Sequence, residues 1–121
     1  MARVVVQETS IVVRLSWWEK LLARRREVRV PLHALRRVYI QPDWWRALRG
    51  SCGRGVWIPA RRCVGVRHLG EVKDFVAVRA DAPVLCVELG APAAFSRLAV
   101  SDPHPQEALR ALERRVPHSL V

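Results

Sequence analysis

Short apolar runs separated by turn residues fill most of the chain, and their period changes along it. Arg3 to Gln7 and Ile11 to Leu15 are Val-rich and read as strands. In the second, Ile11, Val13 and Leu15 share one face, while Val12 and Arg14 share the other. Ser16 has the form of an N-cap, and Trp17, Trp18, Leu21 and Leu22 follow at helical spacing. That predicts a short amphipathic helix ending near Arg24-Arg25-Arg26. Glu27 to Val30 alternates charged and apolar residues as a half-buried strand does, and Pro31 stops it or marks a sheet edge. Leu32 to Leu35 predicts a helical turn, and Val38 to Ile40 a strand. Gln41-Pro42-Asp43 ends that strand, with Asp43 placed to cap a turn holding Trp44 and Trp45.

Residues 49–62 contain three Gly and one Pro, which predicts a loop with a tight bend. Beyond it, Cys63 to Leu69, Val72 to Arg79, Val84 to Leu89 and Ala94 to Val100 read as strands. Gly70-Glu71, Asp81-Ala82-Pro83 and Gly90-Ala91-Pro92 supply the turns, a spacing that predicts an antiparallel meander. Asp102 suits an N-cap and Pro103 the first position of a helix. Ala108, Leu109, Leu112 and Val116 form its apolar stripe; Arg110, Glu113 and Arg114 face outward, and Pro117 ends it. A small curved sheet leaves its ends open, and a C-terminal helix can plug one of them. The expected fold class is therefore mainly β (α+β): a single domain over residues 1–121 with about seven antiparallel strands. These would form a barrel or sandwich with a C-terminal capping helix and a short helix near residues 17–25.

Two stretches carry a family likeness. Val28-Arg-Val-Pro-Leu-His-Ala-Leu-Arg-Arg-Val-Tyr-Ile40 looks like the strand, turn and strand near the start of bacterial pleckstrin-homology-like (PH-like) domains. Asp74-Phe75 through Val87-Glu88-Leu89 to Phe95-Ser-Arg-Leu-Ala-Val-Ser-Asp102 looks like that family's last three strands. The order of elements over residues 11–116 resembles the PH-like barrel and is similar to uncharacterised actinobacterial proteins of this size. The resemblance implies binding of lipid headgroups, peptides or proteins in place of catalysis. Phosphoinositide sites in such domains use a basic cluster around the first strand–strand loop. Arg14, Lys20, Arg24 and Arg26 occupy the equivalent stretch here, although a Trp-Trp helix fills the connection.

Charge sharpens this picture. The chain has 121 residues, 21 Lys+Arg and 11 Asp+Glu, a net charge of +10. Nineteen of the 21 basic residues are Arg, a bias that genome composition or a need for bidentate phosphate and carboxylate pairing would both produce. Residues 14–67 hold 14 basic residues against Glu19, Glu27 and Asp43, while the remainder holds 7 against 8 acidic ones. All five Trp lie in the same basic half. Arg interleaved with Trp suits an anionic, partly apolar partner. The candidate surface comprises Arg14, Trp18, Lys20, Arg24, Arg25, Arg26, Trp44, Arg49, Arg54, Trp57, Arg61 and Arg62. The expected partner is an acidic protein or an anionic membrane surface, with homo-oligomer formation open. Nucleic acid is the alternative, although no recognition helix or RNP-type aromatic strand is visible.

No apolar run is long enough to span a bilayer, and the N-terminus lacks the apolar stretch of a secretion signal. The expected location is cytoplasmic, or peripheral at the inner face of the membrane. Three widely spaced cysteines without a C-x-x-C pair predict reduced thiols. Cys63 and Cys86 read as small strand hydrophobes. Cys52, in an Arg-rich segment, is the candidate for an activated thiol. His33, His68, His104 and His118 are scattered, so no metal or other cofactor is expected. Gly53-Arg54-Gly55 is followed by extended Trp57-Ile58-Pro59 in place of a helix, which argues for a surface loop over a phosphate cradle. The carboxylates are isolated and no nucleophile–base motif occurs, so the expected function is non-enzymatic binding through the Arg/Trp-rich first half.

Overall fold

The computed structural model describes residues 2–16, 27–44, 51–58, 62–79, 82–91 and 93–115, with only the backbone course given at 51–58, 62, 63 and 69. The expected helix at 17–25, together with Trp45, Val116 and Pro117, lies outside the described residues.

Strands β1 (Arg3–Val6), β2 (Ser10–Arg14) and β3 (Glu27–Pro31) form an antiparallel sheet in that order. A two-residue hairpin joins the first two, with the Gln7 N–H donating to the Ser10 carbonyl at 2.8 Å. Period-2 alternation puts Val4, Ile11, Val13, Val28 and Val30 into the main core and leaves Arg14, Glu27 and Arg29 exposed. Pro31 ends β3, an edge strand, where its missing N–H costs no ladder bond. The expected helical turn is the 3-10 turn Leu32–Ala34.

A second sheet holds six strands: β4 (Leu35–Gln41), β5 (Ser51–Ile58), β6 (Arg62–Leu69), β7 (Val72–Arg79), β8 (Val84–Leu89) and β9 (Arg97–Val100). Their order is β4-β8-β9-β7-β6-β5. The antiparallel meander holds from β5 to β7 and then breaks. After β7 the chain leaves one place empty, forms β8, and returns as β9 to fill the gap. It is antiparallel to β8 but parallel to β7. Polar groups fix this insertion at both ends. The Ser96 N–H donates to the Lys73 carbonyl at 2.8 Å, the Ser101 N–H to the Ala77 carbonyl at 2.9 Å, and the Arg79 N–H to Ser101 Oγ at 2.9 Å. The strand count is thus nine among the described residues, one pair is parallel, and both sheets keep open edges, so no closed barrel forms.

Strands β7, β8 and β9 sit inside the sheet and are covered on both faces, which explains their continuous apolar runs. Alternate residues sort into two cores. Phe75, Ala77, Leu85, Val87, Leu98 and Val100 face the three-stranded sheet. Val76, Val78, Val84, Cys86 and Ala99 form a smaller cluster on the far face, with Tyr39 and Trp44 packed against it. Phe75 and Phe95 meet edge to face at 5.8 Å within the main core.

Residues 49–62, expected as a loop, contain strand β5. The glycines there produce a register irregularity between Cys52 and Gly55, as a bulge does, and not a break in the strand. Gly55 lies opposite Gly65, whose φ of 145° belongs to the region that glycine enters freely. Helix α1 (Pro105–Glu113) begins two residues later than expected, with Pro105 and not Pro103 in its first turn. The Asp102 carboxylate bridges the first strand and the helix entry. Its Oδ2 accepts the Val4 N–H and its Oδ1 the His104 N–H, both at 2.7 Å. Leu112 of α1 is fully buried in the main core, with Ala108 and Leu109 packed beside it.

Candidate functional site

Strand alternation turns Arg3 and Val5 of β1, Ser10, Val12 and Arg14 of β2, and Glu27 and Arg29 of β3 away from the main core. Arg3, Arg14 and Glu27 lie in one cross-strand row. Arg29 is held in place: its Nη1 donates to Gln7 Oε1 at 2.8 Å and Ser10 Oγ at 3.0 Å, and its Nη2 lies 3.6 Å from Glu27 Oε1. Arg3 and Arg14 are exposed, stand directly opposite one another, and make no ion pair among the described residues, although Glu27 is Arg14's register neighbour on β3. Like charges at such positions repel.

Beside this face, β1 and α1 enclose an open groove of about 350 Å³. Val4 to Val6 form one wall, and His104, Glu107, Ala108 and Ala111, spaced along one helix face, form the other. Asp102 lies at one end of it, tying the edge strand to the helix entry.

The far face of the six-stranded sheet carries a second arrangement. Register places Arg37, Glu88, Arg97, Asp74 and Arg67 side by side on β4, β8, β9, β7 and β6, so charge alternates in sign across five strands. At its centre Arg97 Nη2 lies 3.5 Å from Asp74 Oδ2, with side chains only 8% and 2% exposed. Ser96 Oγ donates to Asp74 Oδ1 at 3.0 Å, and Arg97 Nη1 to the Tyr39 hydroxyl at 3.3 Å. The Arg37 guanidinium covers the Tyr39 ring at 4.8 Å. Cys86, opposite Tyr39 in register, is a buried free thiol. Burial pushes its pKa above the ordinary 9.0, with Arg97 and Tyr39 opposing that shift. Burial also raises Tyr39 above 10.0, and the neighbouring Cys86 adds to this. A neutral, enclosed thiol is a packing group and a poor nucleophile.

These raised values fix an alkaline limit. Unfolded Cys86 loses its proton near its ordinary pKa of 9.0, while folded Cys86 still holds its own. Between the two values the unfolded state binds fewer protons, so stability falls as pH rises. Urea midpoints should therefore drop from pH 8 to pH 10.5, and Cys86→Val should flatten the first part of that fall. A flat profile in the parent protein would contradict the burial of this thiol.

Of the sequence-derived surface, the side chains of Arg14 and Trp44 are described. Trp44 is half-buried against the far-face cluster, whereas Arg14 is exposed on the outer face of the three-stranded sheet, with the main core between the two layers. The structure does not bring them together. Arg54 and Trp57 take positions on β5, and Arg62 opens β6. Cys52 lies on β5 opposite Arg67, in a strand and not in the expected loop. The side chains of those four residues, and all of Trp18, Lys20, Arg24, Arg25, Arg26, Arg49 and Arg61, lie outside the described residues. Arg3, Tyr39, Asp74 and Arg97 were not legible as site residues; only cross-strand register gives them neighbours. Among the described residues no group of three or more His, Cys, Asp or Glu could hold a metal ion, and no helix is long and apolar enough to cross a membrane. Comparison with protein-family models, curated proteins and solved structures finds no match for the chain.

Proposed function

We propose that this protein is a non-enzymatic binding module for an acidic segment of a partner protein. The observation that carries the reading is the exposed Arg3–Arg14 pair, two like charges set directly opposite one another at the open end of a row whose one acid, Glu27, stands beyond Arg14 and lies 3.6 Å from Arg29. The arrangement costs stability in the free protein and is relieved by an anionic partner. The excess of basic over acidic residues in 14–67 supports the same reading. A membrane partner has less support. Among the described residues Val72 is the one large apolar side chain left exposed and Trp44 packs inward, so the described surface sets no apolar wedge beside Arg3 and Arg14. A PH-like body fits a binding role through its β-rich make-up and C-terminal helix; the parallel β7–β9 pair is where this chain departs from the barrel that resemblance implies.

Charge reversal separates stability from binding. Arg3→Glu removes the repulsion and is expected to stabilise the protein by about 0.5–1 kcal/mol in urea titrations. The double variant R3E/R14E should bind poly-glutamate at least about tenfold more weakly, a loss of roughly 1.4 kcal/mol. Anionic vesicles and duplex DNA serve as competitors in the same assay. Unchanged poly-glutamate affinity, or DNA or vesicles displacing poly-glutamate, would overturn this reading.

A further inference from the structure

β1 is an edge strand, and its hairpin fixes which of its polar groups point outward. Gln7 pairs with Ser10 across the turn, so Val5 and Arg3 direct their N–H and C=O groups at β2, while Val4 and Val6 direct theirs away from it. The Val4 N–H meets Asp102, which accords with that assignment. The Val4 carbonyl and both polar groups of Val6 then face the groove, with no partner among the described residues. An unpaired strand edge beside a helix is a template for one more strand.

The two faces of such a strand would meet different chemistry. Side chains on the outer face would stand beside Arg3, completing the row Arg3, Arg14, Glu27 with a negative charge on the side where the row now ends in arginine. Side chains on the inner face would lie beside Val4 and Val6, against Ala108 and Ala111, where small residues leave room and Glu107 on the helix rim repels an acid. From this complementarity we infer that the groove between β1 and α1 receives an extended partner segment of alternating acidic and apolar residues, added as a strand to the free edge of β1. The inference rests on the acidic-partner reading and names its site and its sequence pattern.

The test uses the full chain and two fluorescein-labelled peptides of equal composition, one alternating Glu and Val, the other carrying them as separate blocks. Fluorescence polarisation should show the block peptide binding at least about tenfold more weakly than the alternating one. Val6→Pro removes an outward N–H without touching the β1–β2 ladder, a substitution edge strands tolerate. Ala111→Trp fills the groove from the helix side, and keeps the test open should the proline variant fail to fold. Each is expected to weaken the alternating peptide at least about tenfold while far-UV circular dichroism stays unchanged. Equal binding of both peptides, insensitive to the variants, would overturn the groove and leave the acidic-partner reading standing. No binding of either peptide would overturn both. Concentration-dependent dimerisation lost in Val6→Pro, without peptide competition, would show a second copy of this chain as the occupant and overturn the inference.

Discussion

Asp74→Ala is expected to destabilise the fold by about 3–5 kcal/mol, the usual cost of removing one partner from a buried ion pair. Asp74 is 2% exposed and accepts from Ser96 Oγ while facing Arg97, itself enclosed between β8 and β7. Its loss removes the carboxylate 3.5 Å from a buried guanidinium whose hydration cannot be restored. The effect belongs to topology as well as to energy, because Asp74 and Arg97 are register partners on the parallel β7–β9 pair. Asp74→Leu combined with Arg97→Met removes the charge from both sides and should recover most of the loss, since apolar replacement of a whole buried pair is often neutral. Urea titration of the single and double variants measures both values. A loss under about 1 kcal/mol for Asp74→Ala would place the pair among solvent-screened contacts.

Asp102→Ala comes next in size, at about 2–4 kcal/mol. One carboxylate accepts two backbone N–H groups at 2.7 Å; a bond to a charged acceptor contributes roughly 1.5–3 kcal/mol, and with one of the two only part-buried the pair comes to about 3 kcal/mol. One of them crosses 98 positions in sequence to hold the first strand against the helix entry. Asp102→Asn keeps an acceptor oxygen for one N–H and should cost about half as much. The loss should be local in its first effects: hydrogen exchange at Val4 to Val6 should accelerate before exchange in β7 or β8. Uniform acceleration across both sheets would show that Asp102 supports the whole fold and not the β1 edge in particular.

These two carboxylates also show where sequence stops being legible. Val72–Arg79 and Val84–Leu89 are strands with the bounds their apolar runs imply, because burial on both faces leaves a continuous hydrophobic signal. The Glu27–Pro31 edge strand is equally plain from its alternation and its proline. The Gly-rich segment 51–58 reads as a loop by composition, yet pairing with β6 outweighs local propensity, and the glycines border a register irregularity between Cys52 and Gly55. Asp102 has the right spacing for an N-cap, and one of its oxygens accepts the nearby His104 N–H, while the other takes a distant N–H from β1 that no local spacing reveals. Asp74, Glu88 and Arg97 look isolated along the chain because their neighbours stand on other strands. Arg14 is legible as an exposed base from strand alternation alone. Its pairing with Arg3, which gives it meaning, depends on the β1–β2 register.

The proposed docking of an acidic, extended segment on the β1 edge would set a peptide backbone beside Val4 and Val6. A titration of the isotopically labelled protein with the alternating Glu–Val peptide, followed by amide chemical shifts, tests it most directly. The largest shifts are expected at Val4 and Val6 and at Ala108 and Ala111, smaller ones at Arg3 and Arg14, with slowed solvent exchange of the Val6 amide. Shifts confined to other elements, with the Val6 amide unmoved at saturation, would contradict it.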